Sequence, residues 1–273
     1  MPVHKDPSGH RYVQAETEVP GTPEQVWDAI ASGPGITSWF VPTTVDGRVG
    51  GETTSSFGPG MDSVARITAW NPPHSFVAET SELGPDDPPV ATEWIVEARG
   101  GGSCVVRVVH RWFAETDDWD GQFEGHTYGW ASFFRVLRAY VAHFAGRAGV
   151  PVQVMGMAPP PKEAAWQAWT RPLGLAGASV GDRVQTPAGA PPLSGTVEYA
   201  GQPLWPEELL IHLDAPVPGI AHLVPHPMGG QVYLAHRLYL FGEGAADAAA
   251  QAQVAWQAWF DAAFAQAEAP TDC

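Results

Sequence analysis

The feature that most constrains the fold of this chain is an internal repeat. The segment 22–30, TPEQVWDAI, returns as 161–169, PKEAAWQAW. From Val13 and Val152 onward, a constant offset of 139 residues gives six identities without a gap. Because repeats of this length are those of whole domains rather than of solenoid units, the sequence predicts a duplicated domain.

The far ends of the two copies also align, at a different offset. A shift of 126 residues superimposes His110 on His236, Trp130 on Trp256 and Phe134 on Phe260. The second copy is therefore 13 residues shorter in its middle. A chain of 273 residues has room for two ordinary domains, each with its own core. We expect domains at 1–147 and 148–273, joined by a short connection near residues 146–150.

Charge and cysteine content exclude several classes of partner. The formal net charge is −16, from 30 acidic and 14 basic residues, which would repel phosphate backbones and anionic membrane surfaces. We therefore expect no nucleic-acid partner, and we also expect no membrane insertion, because no apolar run is long enough to span a bilayer. Cys104 and Cys273 are the only cysteines, so no disulfide framework or cysteine-based zinc site is suggested, and a reducing cytoplasm fits best.

The first half reads as a strand, two helices, a set of strands and a long helix. Residues 12–19 alternate as a strand does, and a helix capped by Thr22 follows until Gly33-Pro34-Gly35 stops it. A second short helix is predicted over 36–40. Between residues 43 and 112 the period is two and turn residues break it, which predicts about six antiparallel strands. Residues 126–145 carry apolar side chains at helical spacing.

Alternation assigns the faces of the last strands. Val106, Val108, His110 and Trp112 share one face, while Arg107 and Arg111 share the other. We therefore expect His110 on the inner face, and we expect Trp94 to lie inward on the preceding strand.

This order of elements resembles the START-like (SRPBCC) helix-grip superfamily, in particular its branch of heat-shock ATPase activator homologues. The resemblance covers residues 12–145, and in the second half it rests mainly on the repeat. The residues that carry it are Pro23 to Ile30, Trp39-Phe40, Gly50-Gly51, Ile67 with Pro72-Pro73, Trp94, Gly102 to Val106, and Gly129-Trp130 with Leu137.

The resemblance implies an α+β fold of two tandem helix-grip domains. In each, a curved antiparallel sheet wraps a long C-terminal helix and leaves an apolar cavity. It implies binding of an apolar small molecule in the first domain, without a universal catalytic motif. Two alternatives remain open: a co-chaperone-like module that binds a protein partner, and a cavity enzyme, a cyclase or hydrolase, that uses His110 as a base.

The first half contains more aromatic residues than a small core needs, and some of them are candidates for ligand contact. Those without a counterpart in the second copy are favoured for this role. With the inward-facing His110, the candidate ligand-binding residues are Trp39, Phe57, Trp94, His110, Trp112, Tyr128 and Phe133.

No cofactor, metal site or catalytic residue is predicted. No Asp, Ser or Cys is spaced to complete a nucleophilic set with His110. His222 and His226 stand four residues apart, but Pro225 and Pro227 exclude the helix on which that spacing would bring them together. The acidic run 117–120 is expected to be a solvated turn.

The shorter second half is expected to be a structural partner with a filled interior. The residues it lacks lie in the region that would supply cavity walls in the first half, and Leu238 replaces Trp112. Its predicted elements are a strand over 152–157, a helix over 162–169, five strands between residues 180 and 241, and a final helix over 245–267.

Overall fold

The computed structural model describes residues 3–5, 11–58, 60–80, 90–112, 120–202 and 205–264. The chain divides into two units, Met1–Gly149 and Val150–Cys273. Each is an antiparallel sheet combined with a long C-terminal helix, so the predicted α+β class and the tandem arrangement are confirmed. Within the described residues, no helix is both long enough and apolar enough to cross a membrane.

The first unit has the predicted order of elements. Its eight strands form one sheet in the order β1-β2-β8-β7-β6-β5-β4-β3. Six of them lie between residues 43 and 112, as the alternation predicts. The elements are β1 (His4–Lys5), β2 (Arg11–Pro20), α1 (Pro23–Ala31), α2 (Gly33–Thr37), β3 (Thr43–Val45), β4 (Glu52–Ser56), β5 (Asp62–Asn71), β6 (Ser75–Thr80), β7 (Val90–Arg99), β8 (Ser103–Trp112) and α3 (Asp120–Phe144).

Helix α1 begins where the sequence predicts, at a complete capping box. The Thr22 hydroxyl accepts a hydrogen bond from the Gln25 backbone N–H, and the Gln25 side chain accepts one from the Thr22 backbone N–H. These bonds satisfy two backbone donors at the helix terminus and its flank. On its apolar face Val26 and Ile30 are fully buried.

The boundary between the first two helices differs from the prediction. Gly33 and Pro34 do not merely stop α1; they form the first turn of α2, because proline is tolerated where the backbone N–H has no helical partner. Ser32 caps this second helix by accepting from the Gly35 backbone N–H at 3.0 Å. Gly35 is required by close approach, since a Cβ there would lie 2.0 Å from the Asp28 carbonyl oxygen.

The long helix α3 begins at Asp120, before the predicted start at residue 126, and it packs against β2. The predicted acidic turn lies mostly outside the described residues, and Asp120 belongs to the helix. In the second half of α3, Phe134, Leu137, Val141 and Phe144 are buried, as the helical spacing predicts.

The second unit repeats this plan with one strand fewer between its helices. Its sheet order is β10-β11-β12-β13-β14-β9, and α5 packs against β9 and β14. All five predicted strands are present. The elements are β9 (Val150–Ala158), α4 (Lys162–Thr170), β10 (Arg183–Gln185), β11 (Ser194–Gln202), β12 (Trp205–Ala215), β13 (Gly219–Met228), β14 (Gln231–Leu240) and α5 (Ala245–Ala263).

The two units place their first strands in different registers. In the first unit Val13 pairs with His110, so the two sequence offsets would pair Val152 with His236. Instead, His236 pairs with Val154 and Val152 pairs with Leu238. A shift of two residues keeps every side chain on the same face of the sheet, which explains how both copies retain their inward pattern.

Lys162, at the start of α4, forms a largely buried ion pair with Glu207. Its Nζ lies 2.7 Å from Glu207 Oε2 and 4.5 Å from the centroid of the Trp205 ring. The side chains of Lys162 and Glu207 are 17% and 5% exposed. Removing the cation would leave a carboxylate in a site with little access to water.

We therefore expect Lys162→Met to lower the free energy of unfolding by about 2 kcal/mol, measured by urea denaturation. Arg48→Met is the matched control, because its partner Asp46 lies at 2.8 Å but the two side chains are 70% and 51% exposed. The control should change stability by less than about 0.5 kcal/mol. Equal effects of the two substitutions would contradict the burial argument.

Candidate functional site

His110 lies on β8 and faces the long helix, as alternation predicts. Its Nε2 is 2.6 Å from Trp130 Nε1 on α3, and its Nδ1 is 2.9 Å from Thr92 Oγ1 on β7. An indole N–H can only donate, so Nε2 is an acceptor and the ring proton resides on Nδ1. The imidazole therefore connects the neighbouring strand to the helix through two hydrogen bonds.

The opposite face of β8 carries ion pairs. Arg107 bonds to Glu16 at 2.9 Å and to Glu97 at 3.1 Å, and Arg111 pairs with Glu93. The hydrogen bond that Arg107 donates to Glu16 is the main cause of the raised pKa of the Arg107 guanidinium. Charges are thus arranged across the strands of one face, whereas His110 is turned toward the apolar face.

Aromatic rings surround the pair formed by His110 and Trp130. Phe40 stacks on Trp130, with ring centroids 5.2 Å apart, and Phe133 lies edge-on to Phe40 at 4.5 Å. Trp94 lies at 90° to Trp130, with centroids 5.1 Å apart. We call this group the ring cluster; its members are Trp39, Phe40, Phe57, Trp94, Trp130, Phe133 and Phe134.

The ring cluster has a buried side and a more exposed side. Trp39 is fully buried, and its Nε1 donates to the Ala29 carbonyl of α1 at 2.8 Å, which fixes the ring. Trp94 is 8% exposed. Phe133 and Trp130 are half-buried, and Phe57 is 40% exposed. A molecule that enters from the side of Phe57 would therefore meet Phe40, Phe133 and Trp130 before the buried rings.

Five of the seven predicted ligand residues belong to this arrangement: His110 and four rings of the cluster. Trp112 belongs elsewhere. Trp112 is fully buried in a separate small cluster with Val13 and Val90. Alternation places it correctly on the face of His110, but it lies two residues further along the strand. The remaining residue, Tyr128, has a side chain outside the described part of the structure.

The predicted ligand residues do not include four residues of the arrangement: Phe40, Thr92, Trp130 and Phe134. Trp130 and Phe134 are not favoured by the sequence, because they have the counterparts Trp256 and Phe260 in the second copy. Thr92 could be found only from the strand register, which pairs it directly with His110. A signal for Phe40 was its position beside Trp39 at the end of the helical pair.

A polar pocket lies apart from the seven predicted ligand residues. It has a volume of about 470 Å³ and lies at the β3–β4 hairpin, where Asp46 and Arg48 form an exposed ion pair. Small-molecule sites are mostly apolar, and this one is not. Its lining residues are Thr44, Val45, Asp46, Arg48, Gly50, Gly51, Glu52 and Thr54.

The second unit has the same histidine and tryptophan at the equivalent positions, with a different geometry. His236 on β14 is fully buried, and Trp256 on α5 lies over it with ring centroids 4.1 Å apart and planes tilted by 36°. Trp169 of α4 lies 6.0 Å from the same imidazole. The residue paired with His236 across the sheet is Leu223, where the first unit has Thr92.

Comparison with solved structures finds proteins of low sequence identity. MLL2253 from Mesorhizobium loti is 20% identical, with a TM-score of 0.44, over 49% of this chain and 98% of that one. DynU16, from the dynemicin biosynthetic locus, is 16% identical (TM-score 0.43) over 94% and 97% of the two chains. The di-domain ARO/CYC BexL, from the BE-7585A biosynthetic pathway, is 13% identical (TM-score 0.45) over 95% and 99%.

No curated protein matches the chain. A family model does match: residues 20–142 fit the model of the Activator of Hsp90 ATPase homolog 1-like proteins. The matched range runs from the end of β2 to the last turn of α3 and so includes both helices, the remaining strands and the ring cluster. Over these 123 residues, which are less than half of the chain, the first domain is therefore similar to the Activator of Hsp90 ATPase homolog 1-like proteins, and the second domain repeats its order of elements.

Proposed function

We propose that the first domain binds an apolar, ring-containing small molecule between its sheet and α3, with a polar group of the ligand directed toward His110. The observation that carries the proposal is the position of the hydrogen-bonded His110 and Trp130 inside a cluster of aromatic rings. Rings provide a large apolar contact area, and a single polar group among them orients a ligand.

Binding is favoured over catalysis by the hydrogen bonds of His110. A general base needs a free acceptor nitrogen within reach of the proton it removes. Nε2 already accepts from Trp130, and Nδ1 carries the proton. A ligand that displaces the indole would gain an acceptor for a hydroxyl or N–H group, which is the chemistry of recognition.

A small-molecule site is also favoured over a protein-binding module by the contacts of Phe57. This exposed ring would be a natural centre for a protein interface, but its ring centroid lies 5.7 Å from that of Phe40, edge-on. Phe57 therefore belongs to the same cluster as the buried rings. An apolar ligand in the cluster would cover it without a protein partner.

Native mass spectrometry of the freshly purified full chain would show whether a small molecule copurifies with it. The location is tested by titration with Nile red. We expect Trp94→Leu to weaken saturable Nile red binding about tenfold, since it removes a ring at the centre of the cluster. Trp166→Leu is the matched control, because Trp166 is also 8% exposed but lies in the second core.

The control should leave the Nile red affinity within about twofold of the parent. Circular dichroism at the titration temperature would verify that both variants are folded. If Trp166→Leu weakens binding as much as Trp94→Leu, the site does not belong to the first domain. If neither parent nor variant binds the dye saturably and no small molecule copurifies, the proposed function fails.

A further inference from the structure

The core of the second domain contains hydrogen-bonding groups without partners. His236 and Trp169 are both fully buried. Among the described residues, neither ring nitrogen of His236 has a hydrogen-bond partner, and neither has Trp169 Nε1. An unsatisfied buried polar group costs about 1–3 kcal/mol, and native structures contain few of them. Three such nitrogens on two neighbouring rings therefore need an explanation.

The equivalent histidine of the first domain shows what has changed. His110 bonds to Thr92 and to Trp130, and both partners differ in the second copy. The hydroxyl of Thr92 is replaced by the aliphatic side chain of Leu223. Trp256 lies over the face of the imidazole, at 4.1 Å between centroids, rather than donating to its edge.

The chemistry of the two rings indicates which group could bind to both of them at once. Burial, with a smaller effect of the nearby His222, lowers the pKa of His236 to about 3, so its ring is neutral near pH 7. A neutral imidazole offers one donor and one acceptor, and Trp169 offers one donor. A hydroxyl group would accept from Trp169 and donate to the acceptor nitrogen of His236, which pairs two of the three nitrogens and leaves the N–H of His236 without a partner. An anion would lack a compensating cation on either ring.

We propose that the core of the second domain holds the hydroxyl group of a compact apolar molecule between Trp169 Nε1 and the imidazole of His236. The surroundings suit an apolar body, because Leu223, Leu234 and Phe260 belong to the same core. They also limit its size: a Cβ on Gly156 would lie 2.3 Å from Phe260 Cδ1, so this side of the core is closely filled.

This site is separate from the one proposed in the first domain and does not depend on it. It also departs from the sequence-based expectation that the second domain is only a structural partner. That expectation rested on the loss of wall residues. Unpaired hydrogen-bonding groups inside the core are a different kind of evidence. They indicate that a ligand would need a polar atom at this position, whereas wall residues indicate only how large a cavity could be.

The test uses the full chain, with phenol as the probe and toluene as the matched compound without a hydroxyl. The indole N–H signal of Trp169, assigned by its loss in Trp169→Phe, is followed in ¹H–¹⁵N spectra. We expect a saturable downfield shift of this signal with phenol and not with toluene. His236→Leu should weaken the phenol response about tenfold. His110→Leu, the equivalent change in the first domain, should leave it unaltered.

Each other outcome overturns the proposal. Equal responses to phenol and toluene would identify an apolar void without hydroxyl recognition. A Trp169 signal that shows contact with water and does not respond to phenol would identify an internal water instead. If His236→Leu does not fold, the ¹⁵N chemical shifts of the His236 ring are measured in the parent protein instead. The proposal requires that these shifts change when phenol is added, and unchanged shifts contradict it.

Discussion

Acidification from pH 6.5 to pH 4.5 is expected to remove about 2 kcal/mol of folding free energy through His236 alone. Burial is the main cause that lowers the pKa of this imidazole to about 3 in the folded state. In the unfolded chain a histidine titrates near pH 6.5. Between the two values the unfolded chain binds a proton that the folded one does not. The stabilisation is therefore complete above about pH 6.5 and is lost as the pH falls toward 3.

His226 adds to the same trend. Burial first, and then the charge of Arg237, lower its pKa to about 4. The parent should accordingly lose stability over the same range through two residues of one domain.

Urea denaturation of the parent and of His236→Leu at pH 7 and pH 4.5 would measure the effect. For each protein, the free energy of unfolding at pH 4.5 is subtracted from its own value at pH 7. Any loss of stability in His236→Leu that is the same at both pH values therefore cancels. The decrease between the two pH values should be smaller in His236→Leu by about 2.5 kcal/mol. His74→Leu, which removes an exposed histidine, should retain the decrease of the parent. Equal decreases in the parent and in His236→Leu would show that His236 is not held in the neutral form.

Replacement of Trp39 by alanine should lower the free energy of unfolding by about 3–5 kcal/mol. The ring is fully buried and makes contacts with Phe40 at 5.6 Å and Trp94 at 6.1 Å between centroids. Its indole also donates to the Ala29 carbonyl at 2.8 Å, so its removal leaves a buried acceptor of α1 without this partner. The cavity and the lost hydrogen bond act in the same direction.

Two further variants separate these contributions. Trp39→Phe keeps most of the ring and loses the indole donor, and it should cost about 1–2 kcal/mol. Phe57→Ala removes a ring of the same cluster that is 40% exposed, and it should cost about 1 kcal/mol. Urea denaturation would rank the three. An effect of Trp39→Ala no larger than that of Phe57→Ala would contradict the central position assigned to Trp39.

The sequence predicts which face of the sheet a side chain points to better than it predicts which neighbours that side chain has along the strand. Alternation correctly turns His110 and Trp94 inward, because successive side chains of a strand point to opposite faces. It cannot separate His110 from Trp112, which shares that face but belongs to another cluster. It also cannot supply Thr92, because a cross-strand partner depends on the register, and the register depends on turns and bulges such as the one between Ile67 and Ala69.

The helix boundaries show a second limit. Gly33-Pro34 reads as a stop signal, yet the same residues form the first turn of a helix when Ser32 precedes them as a cap. For the duplicated domain, identities predict which elements recur. They do not predict the register in which a recurring strand pairs, because a register shift of two residues leaves the apolar pattern unchanged.

The two-residue difference in register between the first strands of the two domains has a consequence for how duplicated domains diverge. Two residues of a strand span about 7 Å. In the first copy α1 begins ten residues after the partner of His110, and in the second α4 begins eight residues after the partner of His236. The helix of the second copy thus begins two residues closer along the chain to the partner of the histidine, and its Trp169 lies 6.0 Å from the imidazole between centroids. The neighbour is itself a substitution, since the repeat aligns Ile30 with Trp169, so a strand shift and one replaced side chain together give the histidine a contact of a new kind.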